Sequence, residues 1–183
     1  TVRFDDNGPS MIWCPTQGHF DVRARVAQLL NMELGQIKVV ASEIGGGFGG
    51  KTTVYLEPVA LILSKKSGRS VKMTMSREDV FRASGPASAS QSTVKIGAKS
   101  DGTITAMQAS LHYEAGAFKG SPMGPGCMTI FTPYDVENMY VEGFDVVVNK
   151  PKAAAYRAPG APQAEFAAEM AVNELASKLG MDP

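Results

Sequence analysis

The sequence has few cysteines, no excess of either charge and no long apolar run, and each shortage argues against a class of protein. Cys14 and Cys127 are the only cysteines, too few for a disulfide framework or a cysteine-rich metal site. Eighteen basic residues balance eighteen acidic ones, so no net field attracts nucleic acid. No apolar run approaches the roughly 18 residues of a membrane-spanning helix. We therefore expect a cytoplasmic protein with reduced thiols that binds neither nucleic acid nor membrane.

The bulk composition is that of an ordinary folded protein. The chain has 183 residues, of which 44% are hydrophobic and 20% charged, enough for one compact domain or two packed lobes. We expect any two lobes to lie around 1–90 and 91–183. The opening "TVRFDDNG" already resembles a strand entering a turn, so we expect a piece of a longer polypeptide.

The order of the predicted elements favours an α+β fold, with mixed or antiparallel sheets and flanking helices, over regular alternation of strands and helices. Asn7-Gly8 and Asp101-Gly102 are typical of hairpin turns. Apolar spacing and end signals predict the helices. Predicted helices cover 21–32, 52–66 and 160–180; predicted strands cover 37–42 and 70–76; 119–132 is predicted to be a long Gly/Pro-rich loop.

The stretch "VVASEIGGGFGGKTTVYLEP" contains two nucleotide-binding patterns. Residues 45–52 fit the phosphate-binding loop G-x-x-x-x-G-K-[ST], while Gly45, Gly47 and Gly50 fit the dinucleotide fingerprint G-x-G-x-x-G. A phosphate-binding loop also needs an Asp that ends an apolar strand, and the sequence offers no good candidate. Pro58 should kink the predicted helix whose amino end would face the phosphates. An ATP- or GTP-binding module therefore remains an alternative only.

The dinucleotide pattern is weaker still. An acidic residue is expected about 20 positions after the loop to bind the ribose, but the sequence there is the basic "KKSGRSVK". The five glycines around Phe48 would let the backbone approach a bulky group with its amides exposed. A tight backbone crossing is the structural alternative, and Lys51 could be a solvent-facing side chain at a helix start.

Three segments together resemble the large, molybdenum-binding subunit of the xanthine dehydrogenase/aldehyde oxidase family of molybdenum hydroxylases. They are "PTQGHFDVR", "GGGFGGK" and "AYRAPGAPQAEFAAE", and "SREDVF" and the "DGTI" hairpin between them also fit. Their order and spacing agree over nearly the whole chain. The resemblance implies a molybdopterin cofactor that serves to hydroxylate an activated carbon. It also implies FAD and 2Fe–2S clusters on other domains or subunits.

The resemblance also implies roles for individual residues. Gln17 matches a glutamine whose amide hydrogen-bonds an oxo ligand of the cofactor, although a turn-capping role is the alternative. Arg157 matches the arginine of a second loop with backbone donors, although an ion pair is the alternative. No residue is expected to bind the metal directly. The other cofactor-binding positions implied by the two loops are Gly46, Gly47, Phe48, Gly49 and Ala158.

Departures from the family pattern concern the substrate. Purine-oxidising members carry a glutamate where this chain has Thr52, an arginine in the loop matching 119–132, and an aromatic residue where this chain has Pro159. Carbon monoxide dehydrogenases carry a cysteine where this chain has Ala158. A purine or carbon monoxide substrate is therefore not expected. An aldehyde, an N-heterocycle or an aromatic acyl thioester remains open.

The resemblance places the catalytic glutamate far downstream of this chain, so no catalytic residue is assigned here. We expect the isolated chain to be inactive and to need the remainder of the large subunit, together with FAD-binding and iron–sulfur domains or subunits. A small molecule is the expected substrate. A non-catalytic scaffold is the remaining alternative.

Overall fold

The computed structural model describes all residues from Thr1 to Pro183. The chain forms two compact units, Thr1–Ser84 and Gly85–Pro183. Each unit contains one three-stranded mixed sheet with helices packed against it, which confirms the α+β prediction. None of the helices is long and apolar enough to cross a membrane.

The first unit is built on a short sheet in the order β1-β2-β3, where β1 and β2 are antiparallel and β2 and β3 are parallel. Helix α1 makes the crossover from β2 to β3. Its side chains Val22 and Val26 are fully buried with Ile12 and Ile37 of the sheet. The elements are β1 Val2–Arg3, β2 Ser10–Cys14, α1 His19–Leu30, β3 Ile37–Ala41, α2 Glu57–Ser67 and α3 Arg77–Ala83.

Two predictions in this unit were wrong. Helix α2 begins at Glu57, and Pro58 lies in its first turn, where the missing N–H of proline has no intrahelical acceptor to lose. Residues 52–56 are therefore irregular. The predicted strand 70–76 is reduced to one bridge, in which Val2 and Val71 exchange backbone hydrogen bonds of 2.8 and 3.0 Å.

The second unit is built on the order β4-β5-β6, where β4 and β5 are antiparallel and β5 and β6 are parallel. The predicted hairpin at Asp101-Gly102 is confirmed, and Gly102 has φ 90°. Alternate residues of β5, including Leu111 and Tyr113, are buried in the core beside α5. The elements are β4 Ser90–Ala98, β5 Ile104–Gly116, α4 Met123–Thr129, β6 Asn138–Val147 and α5 Ala161–Leu179.

The region 119–132, predicted to be a loop, contains α4 and is anchored at its start by Asp145 of β6. The Asp145 carboxylate accepts hydrogen bonds from the N–H groups of Gly120 (2.6 Å) and Ser121 (2.9 Å). Lys152 Nζ donates to the Gly120 carbonyl (2.8 Å). Burial opposes the charge of Asp145, but hydrogen bonds from Ser121 and Gly120 and the charge of Lys152 outweigh it and lower the pKa of Asp145.

We expect Asp145→Asn to destabilise the protein by about 1–3 kcal/mol at pH 7, since a charge-assisted acceptor is lost. The folded-state pKa of Asp145 is lower than its unfolded value of about 3.9. The Asp145 carboxylate therefore stabilises the fold fully above the unfolded pKa, and this stabilisation is lost as the pH falls through the folded-state pKa. Urea unfolding at pH 7 and near pH 3 measures both effects. Asp135→Asn, at an exposed residue without side-chain hydrogen bonds, is the control. An equal difference at both pH values would contradict the prediction.

Candidate functional site

Gln17 lies between β2 and α1 and bridges to the glycine-rich loop 45–51. Its Oε1 accepts hydrogen bonds from the N–H groups of Gly49 (3.0 Å) and Lys51 (3.1 Å), 32 and 34 residues away. Its own N–H donates to the Lys51 carbonyl (2.9 Å). These long-range bonds do not fit a turn-capping role. Two facing donors identify Oε1 as the oxygen of the amide.

The opposite side of the Gln17 amide is unoccupied within the chain. The side chain is exposed, and neither N–H of Nε2 has an acceptor. Since one end of the amide is held by two backbone donors, the other end is presented in a fixed direction as a pair of neutral donors. The two N–H groups of Gln17 Nε2 are therefore free within the chain.

The glycines of the loop allow two close approaches. A Cβ on Gly47 would lie 2.5 Å from Cδ and Oε1 of Gln17, so the amide rests directly against the loop backbone. Gly46 has φ 100°, and a Cβ there would lie 3.0 Å from the Phe48 ring. Phe48 itself has φ 51° and is 63% exposed. The ring therefore covers its own loop and stays at the surface.

The backbone donors of this loop divide into two groups. The N–H groups of Gly49 and Lys51 bind Gln17, and that of Gly50 binds the Gly47 carbonyl at 2.8 Å. In contrast, the N–H groups of residues 45–48 have no acceptor within the chain. The second group forms a run of N–H donors that are free within the chain and carry no titratable charge.

The segment after the loop argues against the phosphate-binding alternative. Thr52 Oγ1 donates to the Gly49 carbonyl (3.0 Å), and the following residues are irregular until α2 begins at Glu57. In a phosphate-binding loop the Lys-Ser/Thr pair opens a helix whose amino end faces the phosphates. Here no helix begins at Lys51 or Thr52, so that arrangement is missing.

The second loop, residues 150–160, is held in its own unit by backbone bonds and one buried tyrosine. Ala153 and Ala154 donate to the carbonyls of Ala115 and Pro86, both at 2.9 Å. Tyr113, fully buried, donates its OH to the Gly160 carbonyl (2.7 Å). Burial raises the pKa of Tyr113 to about 12, so the phenol remains protonated and able to donate.

This anchoring leaves residues 156–158 at the surface. Ala158 has φ 55°, a left-handed conformation that non-glycine residues seldom adopt. The N–H groups of Tyr156, Arg157 and Ala158 have no acceptor within the chain. Arg157 is exposed and makes no ion pair, so the ion-pair alternative finds no support. Pro159 is exposed beside it.

Two residues that shape these loops were not found from the sequence. Lys51 does not face solvent at a helix start, because it is half-buried and its Nζ donates to the Ile44 carbonyl. Its position beside a glycine run gives no sign of this contact. Tyr113 could have been found, since a tyrosine at an inward position of a strand needs a partner for its OH. No group of three His, Cys, Asp or Glu side chains is placed to hold a metal ion.

Comparison with known proteins gives consistent matches over the whole chain. The family model described as Molybdopterin cofactor-binding domain matches residues 1–183. The chain is 33% identical to the nicotinate dehydrogenase large molybdopterin subunit of Eubacterium barkeri, over 98% of this chain and 43% of that protein. It is 30% identical to a probable xanthine dehydrogenase subunit of Bacillus subtilis (strain 168), over 98% of this chain and 24% of that protein.

A solved structure agrees with these sequence matches. The aldehyde oxidoreductase from Desulfovibrio gigas superimposes with a TM-score of 0.91 and 28% identity, over 100% of this chain and 20% of that one. The chain thus spans less than half the length of these relatives. Together, the family match along the full chain and the shared fold show that this protein belongs to the molybdopterin cofactor-binding domains of the xanthine dehydrogenase/aldehyde oxidase family.

Proposed function

We propose that this chain supplies part of the cofactor cradle of a molybdenum hydroxylase that oxidises an aldehyde or an N-heterocycle. The observation that carries the proposal is the Gln17 amide, whose oxygen is held by Gly49 and Lys51 while both Nε2 hydrogens are free. A neutral donor of fixed direction suits an oxo ligand, because it binds the oxygen without giving up a proton.

The remaining donors fit the same cofactor. Molybdopterin, when bound, supplies the redox centre at which the substrate carbon is hydroxylated. The N–H groups of Gly46, Gly47 and Phe48 lack acceptors within the chain and would hold cofactor oxygens by neutral, preorganised hydrogen bonds. Gly49 contributes differently, because its N–H is already used to orient Gln17.

Arg157 and Ala158 form the second donor group. Their N–H groups are without acceptors, and the left-handed Ala158 holds the turn in which they lie. The Arg157 side chain has no carboxylate partner, so its charge is available to an anionic group. The family resemblance supports the proposal that this loop contacts the same cofactor as the glycine loop.

Substrate choice is proposed from Thr52 and Pro159. Thr52 has no carboxylate with which to accept a purine N–H, and its hydroxyl donates to the Gly49 carbonyl instead. Pro159 offers no aromatic ring to stack on a purine, and 119–132 contains no arginine. A site built to hydrogen-bond a substrate discriminates strongly against analogues, whereas an apolar one does so weakly. These features favour an aldehyde or an N-heterocycle other than a purine.

The proposal also concerns the rest of the protein. We expect the remainder of the large subunit to provide the catalytic glutamate and further cofactor contacts. FAD and 2Fe–2S clusters on other domains or subunits would carry the electrons onward. The relatives are named as molybdopterin, xanthine dehydrogenase and aldehyde oxidoreductase proteins, and this chain spans less than half of each, which supports the need for further parts of a larger enzyme.

The experiment is the purification of the complete protein from a host that makes molybdopterin, followed by metal and pterin analysis. We expect one molybdenum and one pterin per chain in the unaltered protein. We expect about 10- to 100-fold weaker retention in Gln17→Ala, the usual cost of removing a partner of a metal's ligands. Gln28→Ala, at an exposed position on α1, is the control. Equal pterin content in both variants would contradict the role of Gln17.

The same preparation tests the substrate class. With a dye as electron acceptor, an aldehyde or nicotinate should reduce the dye and xanthine should not. Faster turnover of xanthine than of either alternative would contradict the assignment drawn from Thr52 and Pro159. Absence of molybdenum from the unaltered protein would contradict the function as a whole.

A further inference from the structure

The glycine loop is tethered unequally at its two ends. Its second half is held by seven hydrogen bonds. Gln17 Oε1 accepts from the N–H groups of Gly49 and Lys51, and the Lys51 carbonyl accepts from Gln17 N–H and Thr16 Oγ1. Gly50 N–H donates to the Gly47 carbonyl, Thr52 Oγ1 to the Gly49 carbonyl, and Tyr55 OH to the Gly50 carbonyl (3.0 Å). Its first half has far less support. Between the Ser42 N–H, which donates to Cys14, and Gly47, the only hydrogen bond is that from Lys51 Nζ to the Ile44 carbonyl.

This first half is also the part that most needs a tether. Gly45 and Gly46 have φ 64° and 100°, and glycines lose more conformational freedom on folding than other residues. Yet residues 45–48 carry the N–H groups without acceptors on which cofactor binding is proposed to depend. Donors bind tightly only when they are already oriented.

Lys51 connects this half to the well-anchored one. Its N–H donates to Gln17 Oε1 (3.1 Å), and its carbonyl accepts from Gln17 N–H (2.9 Å) and from Thr16 Oγ1 (3.2 Å). Its backbone is therefore fixed beside Gln17, and its ammonium group reaches back to Ile44. Lys51 thus contacts both the first half of the loop, through its ammonium group, and the Gln17 amide, through its backbone.

We propose that Lys51 is a positioning residue: its ammonium group closes the loop at Ile44 and so orients the N–H donors of residues 45–48 toward the cofactor. The proposal rests on the proposed function and deepens it. Lys51 itself touches no cofactor atom in this role, because its ammonium group is used within the loop.

The test measures opening of the loop without cofactor. The complete protein, made in a host unable to synthesise molybdopterin, is treated with chymotrypsin, and mass spectrometry follows cleavage after the exposed Phe48. A protease cleaves such a loop when it opens locally. We expect Lys51→Met to raise the cleavage rate about tenfold or more, since a charge-assisted hydrogen bond is lost. Lys38→Met, at an exposed position of β3 without a side-chain hydrogen bond, should not change the rate.

Chemical rescue separates closure by the ammonium group from general damage. In a Cys127→Ser background, Lys51→Cys is alkylated with 2-bromoethylamine, which restores an ammonium group on a side chain of similar length; Cys14 is buried. The Cys127→Ser protein with Lys51 intact receives the same treatment, so that the effect of alkylating any other cysteine of the complete protein is measured separately. We expect alkylation to return the cleavage rate to that of the unaltered protein. An unchanged rate in Lys51→Met, or no rescue, would overturn the proposal.

Cofactor content gives the second readout. In a host that makes molybdopterin, pterin content should fall in Lys51→Met and recover after alkylation. Faster cleavage with unchanged pterin content would overturn the link to cofactor binding while leaving the proposed function intact. Absence of pterin from the unaltered protein would overturn the proposed function and the cofactor part of this proposal, whereas the cleavage rates alone decide whether Lys51 closes the loop.

Discussion

Gly160→Ala is expected to lower the free energy of unfolding by about 3–5 kcal/mol. Gly160 has φ 91°, which costs a side-chain-bearing residue about 1–3 kcal/mol. A Cβ there would also lie 2.2 Å from the Pro122 carbonyl oxygen and 2.9 Å from the Gly126 nitrogen. Both neighbours are backbone atoms that cannot rotate away, so overpacking adds about 1–3 kcal/mol.

The matched control lies at the other end of the same helix. Gly180 also has a positive φ, 70°, but a Cβ there would meet nothing within 4 Å. Gly180→Ala should therefore cost only the conformational part, about 1–2 kcal/mol. Urea unfolding followed by circular dichroism compares the two variants. Equal destabilisation would mean that the contact with Pro122 and Gly126 is not rigid.

Gly160 also matters to the second loop, because its carbonyl is the acceptor for the Tyr113 OH. A shift of Gly160 would break this buried bond and release the turn at Ala158. In each unit, the loop with free N–H groups is anchored by a hydrogen bond between its backbone and a polar side chain. That side chain is Gln17 in the first unit and Tyr113 in the second.

Sequence patterns predicted the elements whose signals are local. The β4–β5 hairpin was predicted correctly because the pair Asp101-Gly102 marks its turn. Helix α5 was predicted correctly because its apolar residues have helical spacing and Gly180 marks its end. The start of α2 was predicted wrongly because the run from Thr52 looked continuous, although proline favours the first turn. The strand at 70–76 failed because it lacks a full partner strand.

The site was only partly predictable for the same reason. The two loops could be found from their motifs and from the family resemblance. The contacts that shape them join residues distant in sequence, such as Gln17 with Gly49 and Tyr113 with Gly160. Whether a given N–H points inward or outward depends on those tertiary contacts, and no local pattern encodes it.

Gly47→Ala is expected to reduce retention of molybdopterin about 10- to 100-fold, the usual effect of displacing a partner of a metal's ligands. Gly47 does not have a positive φ, so alanine can adopt its backbone conformation. The new Cβ would lie 2.5 Å from Cδ and Oε1 of Gln17, and the amide would have to move. Its hydrogen bonds from Gly49 and Lys51 would then be lost, and with them the direction of Nε2.

Gly50→Ala provides the matched control in the same loop. Gly50 also lacks a positive φ, and the nearest atom to its Cβ would be the Gly47 carbonyl oxygen at 3.4 Å, an ordinary contact. Pterin content of the purified complete protein should therefore fall in Gly47→Ala and remain close to normal in Gly50→Ala. Thermal unfolding should show only a modest loss of stability in Gly47→Ala, because the two hydrogen bonds of the exposed Gln17 amide contribute about 0.5–1.5 kcal/mol each.

A double-variant cycle shows whether Gly47 acts through Gln17. Gly47→Ala should weaken cofactor retention in the unaltered protein but add little in the Gln17→Ala background, where the amide that it displaces is already gone. Residues that act through one contact are non-additive in this way, whereas independent residues add. Additive losses would mean that the alanine methyl blocks the cofactor directly, and the assignment of the Gln17 amide as the oriented donor would then lose its structural basis.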